Sequence, residues 1–350
     1  MTLIIGCVTS EYAILAGDTQ LTFGDLQRGE NLKRETEIKV KKYSARFMMG
    51  ILGRWSYFYP TGDGKATYIN YYDTLQKSLF NNENEVGFLK EFLPGKTDVE
   101  AVAIYVSKNE QGFSIGSVSS KDDLDMAKIK IGERDIIFNE PFCNLKENLI
   151  TGLLVQFSET YNLDDSLGDA IFLLNNIILN IISNGRELDI RNDDGATFFN
   201  VKNTVGGYVT IQVLTKDNHT CNCLYKPYHY DYNTLLDQTT FAFSTFADRC
   251  KDVKYLDNLA MLIRGSAAQS NDPYLRDSLI KCIERQLKFL AESNLVRIYV
   301  LNDFITLANK KYNLNFDLLQ VEEENGLLSL GSFLEDERDK VDLNYIKRFI

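Results

Sequence analysis

The chain opens on two apolar runs joined by a short polar turn, and this hairpin constrains the fold more than any other segment. Leu3-Ile4-Ile5-Gly6-Cys7 precedes a turn at Ser10-Glu11, and Tyr12-Ala13-Ile14-Leu15-Ala16-Gly17-Asp18 follows it. Short apolar runs bounded by turn residues read as strands. Paired as strands, they set the acid Asp18 beside Thr2 at the start of the chain. An initiator Met is removed when the next residue is small, so Thr2 is expected to gain a free α-amino group. Such an amine titrates near pH ~7.7–8.0 and can accept a proton from the hydroxyl of the same residue, so one residue supplies both base and nucleophile. The ordinary alternative is a buried N-terminal strand with no chemistry.

Four elements in order resemble the proteasome β-subunits, and especially the bacterial proteasome-like peptidase HslV. Thr2-Leu3-Ile4-Ile5-Gly6 and then Ala16-Gly17-Asp18-Thr19-Gln20-Leu21-Thr22-Phe23-Gly24 match the N-terminus of that family, with Asp18 sixteen positions after Thr2 and Thr22 four positions later. Ile38-Lys39-Val40-Lys41-Lys42 resembles the family's basic strand. Phe47-Met48-Met49-Gly50-Ile51-Leu52-Gly53 resembles its Gly-containing turn before a helix, with fourteen positions from Lys39 to Gly53. Extra residues, Asn31 to Glu37, lie between Thr22 and Lys39, so Lys33 and Lys41 stay open as alternatives. Strand alternation puts Lys39 and Lys41 on one face and does not choose between them. The distance to Gly53 favours Lys39.

What the resemblance implies is an N-terminal-nucleophile (Ntn) hydrolase. In that reading Thr2 Oγ attacks an amide carbonyl and the Thr2 amine takes its proton. The Lys39 ammonium favours the alkoxide, and Asp18 orients Lys39. The backbone N–H of Gly53 meets the oxyanion, a contact whose loss costs about 3 kcal/mol. Thr22 aligns an extended substrate by strand addition. Thr151, in Ile150-Thr151-Gly152, resembles the family's Ser-Gly at a helix start and would support the amine. The ordinary readings are an Asp-Lys bridge for Asp18 and Lys39, a tight turn for Gly53 and a helix cap for Thr151.

The middle of the chain fits the same architecture. Val99 to Val106 and Phe113 to Val118 read as a β-hairpin about the turn Lys108 to Gly112. Tyr68 to Phe80 and Glu85 to Phe92 read as helices ended by Pro94-Gly95, and Leu167 to Ile182 as a strongly apolar helix. Thr204-Val205-Gly206-Gly207 to Val213 resembles the family's Gly-Gly lead into a closing strand. Here the chain departs from the pattern, because Asn200 to Val205 lacks the supporting Asp and Ser that proteasome subunits carry before Gly-Gly. An insertion from Asn184 to Asn200, with Asp189, Asp193 and Asp194, is the candidate source of a replacement acid.

Composition narrows the classes. A net charge of −11 argues against a phosphate-backbone footprint, so no nucleic acid is expected. No Gly-rich loop leads into Lys-Ser or Lys-Thr, so the chain is not expected to bind ATP, and no cofactor is expected. The richest apolar stretch, Ala170 to Ile182, is interrupted by Asn175 and Asn176, so neither a membrane span nor a leader is expected and the location reads as cytoplasmic. The six cysteines are scattered and read as reduced. Cys221-Asn222-Cys223 lies near His219 and His229, but it lacks a second Cys-rich cluster and zinc spacing, so no metal is expected. Neither histidine has a nucleophile elbow nearby, which leaves a Ser-His-Asp triad poorly supported.

From about Tyr225 the pattern turns helical. Asn233 to Arg264, Pro273 to Ser293 and Leu295 to Tyr312 read as helices with a connector at Gly265 to Asp272. Leu279, Cys282, Ile283, Leu287 and Leu290 form an amphipathic stripe, ordinarily a core face and otherwise a partner surface. Proteasome-like subunits generally lack such an extension. The ending Arg348-Phe349-Ile350 resembles the tail of the HslU ATPase, with chance or a docked terminus as the ordinary explanations.

The expected architecture is α+β: a four-layer αββα Ntn-hydrolase sandwich over residues 1–225 with a helical C-terminal extension over 226–350. The expected function is a threonine peptidase that cuts polypeptide as a homo-oligomer, with a separate ATPase unfoldase or activator as a possible partner. The alternatives are a connectase-like Ntn acyltransferase or amidase, and a catalytically silent proteasome-like scaffold.

Overall fold

A computed structural model describes residues 2–23, 33–36, 38–60, 66–79, 82, 84–94, 96, 100–121, 126–139, 149–184, 190–191, 197–199, 205–217, 220–222, 243–292 and 295–318. The chain divides into two units, Met1–Thr240 and Phe241–Ile350.

The first unit is mixed α+β and is built on two antiparallel sheets. One has six strands, in the order β11 (Met126–Ile131), β12 (Arg134–Asn139), β1 (Ile4–Val8), β2 (Tyr12–Asp18), β15 (Val209–Thr215) and β16 (Thr220–Asn222). The other has four, in the order β10 (Gly112–Ser119), β9 (Glu100–Asn109), β6 (Phe47–Arg54) and β5 (Val40–Ser44). Two-stranded ribbons pair β3 (Gln20–Phe23) with β4 (Lys33–Thr36), β7 (Ser56–Pro60) with β8 (Ala66–Asn70), and β13 (Ile190–Arg191) with β14 (Thr197–Phe199).

The opening hairpin lies at the centre of the six-stranded sheet, with Ile4 opposite Gly17 and Val8 opposite Ala13. Every residue of β1 and β2 is buried. Successive strand residues face opposite sides, so both faces of this hairpin are covered, which is why it is apolar throughout rather than alternating. On one face, Ile4, Val8, Ala13, Leu15, Ile137 and Leu214 share a core with Val40, Met48, Leu52, Val102, Ile104 and Val106 of the second sheet. Gly50 lies within this interface, where a Cβ would come 2.7 Å from Ile4 Cδ1, so its lack of a side chain sets the approach of the two sheets there.

Helices cover the outer faces. Helices α1 (Tyr71–Leu79) and α2 (Glu85–Phe92), with the C-cap residue Leu93, pack Tyr72, Leu75, Leu79, Leu89 and Leu93 against Tyr43, Phe47, Met49, Ala103 and Tyr105 of the four-stranded sheet. Helix α4 (Leu167–Asn184) crosses β2 and β15, and α3 (Leu149–Thr160) packs on α4. The asparagines that interrupt the apolar run of α4 are themselves buried, and Asn176 Nδ2 donates to the Phe172 carbonyl at 2.7 Å.

Burial pushes the Cys7 thiol up to about 12. It also pushes the Tyr43 phenol up to about 12, against the opposing effect of its hydrogen bond to the Tyr72 hydroxyl. In the unfolded chain these groups lose their protons near about 8.5 and 10. Between those values and about 12 the unfolded state therefore binds fewer protons than the folded one, and stability falls as pH rises. Urea denaturation is expected to show a loss of up to about 1.4 kcal/mol per pH unit for each group, reduced in Cys7→Ala and in Tyr43→Phe. A flat profile from pH ~8 to ~11 would contradict this.

In the second unit, α5 (Phe243–Ala268) packs on α6 (Pro273–Glu292), and α6 on α7 (Leu295–Tyr312). Asp272 Oδ1 accepts from Leu275 N at 3.2 Å, capping α6 just before its first-position proline. Leu279, Cys282, Ile283, Leu287 and Leu290 are all buried, so the stripe is a packed face.

Several boundaries differ from the sequence reading: Phe47 to Gly53, read as a turn, runs within β6, and Lys108, Asn109 and Gly112 of the expected hairpin turn belong to β9 and β10. Tyr68 to Asn70 belongs to β8, because Ala66–Asn70 pairs with Ser56–Pro60; Asn70 Oδ1 then accepts from Tyr72 N at 3.0 Å and starts α1. Gly265 to Ala268 extends α5 and does not form the connector. Ile38 and Lys39 precede β5, which runs from Val40. Asn233 to Ala242, Asp189, Asp193, Asp194, His219, Cys223, His229 and the Arg348-Phe349-Ile350 ending lie outside the described residues. No helix among the described residues is long and apolar enough to cross a membrane.

Candidate active site

The Asp18 carboxylate, at the end of β2, gathers donors from four stretches of chain. Its Oδ1 accepts from Leu3 N at 2.9 Å and from Lys39 Nζ at 3.1 Å. Its Oδ2 accepts from Lys39 Nζ at 3.0 Å, Gln20 N at 3.1 Å and Gly206 N at 3.2 Å. Lys39 Nζ also donates to the Gln20 carbonyl. Asp18 is 0% and Lys39 2% exposed, so neither charge can rely on water. Such a pair holds only when its remaining donors and acceptors are matched, and here three backbone N–H groups complete the carboxylate.

Local structure explains why each group arrives there. Hairpin register sets Ile4 opposite Gly17, and Asp18 N donates to the Leu3 carbonyl at 3.1 Å, so the Thr2-Leu3 segment that leads into β1 lies against Asp18. Lys39 lies just before β5 and is tied to the neighbouring strand where Ile51 N donates to its carbonyl at 3.1 Å. Of the two lysines that alternation left equal, Lys39 reaches Asp18, whereas the Lys41 ammonium lies over the Tyr72 ring, 5.1 Å from its centroid. The Gly206 carbonyl accepts from Thr19 N and Gln20 N at 3.2 and 3.0 Å, and Thr19 Oγ1 accepts from Tyr208 N at 2.8 Å. That stapled loop leads into β15, which closes on β2.

Thr2 is buried, 8% exposed. Its carbonyl accepts from Asn139 Nδ2 at 2.8 Å, while Asn139 Oδ1 accepts from Ile4 N at 3.0 Å. Sequence reasoning missed Asn139; the one signal was a polar residue ending the apolar run Ile136-Ile137-Phe138. Gly53 lies in β6 two residues beyond Ile51, opposite Ala101, exposed and at φ +78°, a backbone state that favours glycine. Thr151 is the third residue of α3 and half-buried, which places it inside the helix and not at its cap. Thr22 lies in β3 opposite Arg34, and its side chain is outside the described ones. Direct hydrogen bonds therefore join Asp18, Lys39, the Thr2-Leu3 segment, Asn139 and Gly206.

Among the described residues, no group of three or more His, Cys, Asp or Glu could hold a metal ion. Compared with known proteins, the chain matches no family model and no curated protein.

Proposed function

We propose that this chain is an N-terminal threonine peptidase of the proteasome and HslV type, with Thr2 as nucleophile once Met1 is removed. The observation that carries the reading is the oxygen Asp18 Oδ1, which accepts at once from the buried Lys39 ammonium and from the N–H of the residue that follows Thr2. A fixed positive charge is thereby referenced to the backbone of a threonine at the chain's start.

In this mechanism the Thr2 α-amine, directly or through water, takes the proton from Oγ as Oγ bonds to the scissile carbonyl carbon. The Lys39 ammonium stabilises the developing alkoxide, and Asp18 holds that ammonium in place. Gly53 N–H receives the tetrahedral oxyanion. The leaving amine departs with a proton from the Thr2 ammonium; water, deprotonated by the same amine, then attacks the acyl carbon, and the ammonium so formed returns its proton to Oγ as the C–Oγ bond breaks. Thr151 supports the amine and Thr22 aligns an extended polypeptide, in an oligomer served by a separate unfoldase or activator in the cytoplasm.

Intact mass before and after incubation with a peptide epoxyketone tests this directly, because the morpholine adduct needs a hydroxyl and a free α-amine on one residue. The expected result is loss of Met1 plus one adduct, absent in Thr2→Ala. Retained Met1, or a free Thr2 that never reacts in the assembled protein, would move the reading to a silent scaffold. Transfer of the acyl group to an added peptide amine in preference to water would instead identify an acyltransferase.

A further inference from the structure

We infer that Asn139 is a positioning residue for the Thr2 nucleophile, an inference that rests on the reading above. The backbone ladder between β1 and β12 reaches Ile5 opposite Phe138. One step further, the Asn139 carboxamide acts as a peptide group would, accepting from Ile4 N–H at 3.0 Å and donating to the Thr2 carbonyl at 2.8 Å. Its own backbone is held on the other side, opposite Met126 of β11.

The consequence concerns a single peptide plane. The Thr2-Leu3 peptide has its N–H bound by Asp18 Oδ1 at 2.9 Å and its C=O bound by Asn139 Nδ2 at 2.8 Å. Two side chains from β2 and β12 thus hold that plane at both ends. The Thr2 α-carbon, which carries the amine and, through Cβ, Oγ, is a corner of that plane, so holding the plane at both ends fixes where the α-carbon sits and leaves rotation about its bond to the carbonyl carbon as the one backbone motion of the nucleophile relative to it. Asn139 is 8% exposed, which shields both bonds from exchange with water. Asp18 alone would leave the carbonyl end free to tilt. Asn139 touches neither substrate nor reacting atoms in this scheme and acts through the geometry of Thr2.

Adduct formation by a peptide epoxyketone is followed by mass against time and inhibitor concentration, in wild type, Asn139→Ala and Asn139→Asp, each below its own melting temperature. Asn139→Asp keeps an acceptor for Ile4 N–H and loses the donor to the Thr2 carbonyl, which separates strand closure from nucleophile placement. Both variants are expected to lose about 10-fold or more in the saturated rate, since small misplacements of reacting groups are costly. The half-saturating concentration should stay within about two-fold, a split that a general loss of folded protein does not produce. Wild-type saturated rates in the folded variants would overturn the positioning role while leaving the Thr2 mechanism standing. Failure of both variants to fold would assign Asn139 to the fold alone and overturn it too. A wild-type protein that forms no adduct would remove both readings together.

Discussion

Asp18→Asn is expected to destabilise the first unit by about 3–5 kcal/mol, the cost of stranding one member of a buried charge pair. The side chain keeps its shape but loses its match to its surroundings. All five hydrogen bonds described at this carboxylate come from donors: Lys39 Nζ to both oxygens, and the amides of Leu3, Gln20 and Gly206. An Asn amide offers one acceptor oxygen and one NH2. Whichever way it is turned, its NH2 faces either Leu3 N–H and the ammonium or Gln20 and Gly206 N–H, so donor meets donor. For a unit of this size each kcal/mol moves the melting temperature by about 2–4 °C, so a fall of about 6–20 °C is expected by calorimetry. A melting temperature within about 2 °C of wild type would show that the carboxylate is not the hub these contacts describe.

Lys39→Met should have the largest effect on chemistry. It removes the ammonium and leaves Asp18 buried with three backbone donors but without the cation described there. Two losses follow and are separable. Stability falls by about 3–5 kcal/mol, for the same reason as in Asp18→Asn. In protein kept folded by a lower temperature, the rate of epoxyketone adduct formation at Thr2 is expected to fall by about 10² or more, the scale of a lost group that assists proton movement. The double variant Asp18→Asn/Lys39→Met should cost clearly less than the two single losses added, because each single change strands a partner that the double change removes. An adduct rate within about three-fold of wild type in folded Lys39→Met protein would detach Lys39 from the chemistry and leave an ordinary buried bridge.

What the sequence made legible was local. The Thr2-to-Asp18 spacing is read off one hairpin, whose register is set by the short turn in which Thr9 N donates to the Tyr12 carbonyl at 2.9 Å. The preference for Lys39 over Lys41 rested on the fourteen positions to Gly53 and not on strand alternation, which holds only inside a strand, and β5 begins at Val40. Lys39 is free of that rule and turns to Asp18 while Lys41 obeys it and faces Tyr72. The missing acid before Gly206 drew attention to a gap, yet Gly206 N–H is bound by Asp18, a contact 188 positions away in sequence. Asn139 escaped notice for the same reason, since it binds Thr2 across 137 positions and no periodicity spans that distance. The helix expected from Tyr68 began late because pairing with β7 claimed those residues first, a tertiary contact overriding local preference.

The carboxylate at the end of β2 also imposes an order in time. Leu3 and Gln20 leave the ribosome early, Lys39 follows, and Gly206 comes far later, together with the strand that closes on β2. A nascent chain shorter than this holds an acid whose last donor has not yet been made, beside a sheet edge that has not yet been covered. Under the proposed function, the surroundings of Thr2 are therefore completed only once Gly206 has been made, and the proposed nucleophile stays unarmed until then although it precedes all these partners in the chain.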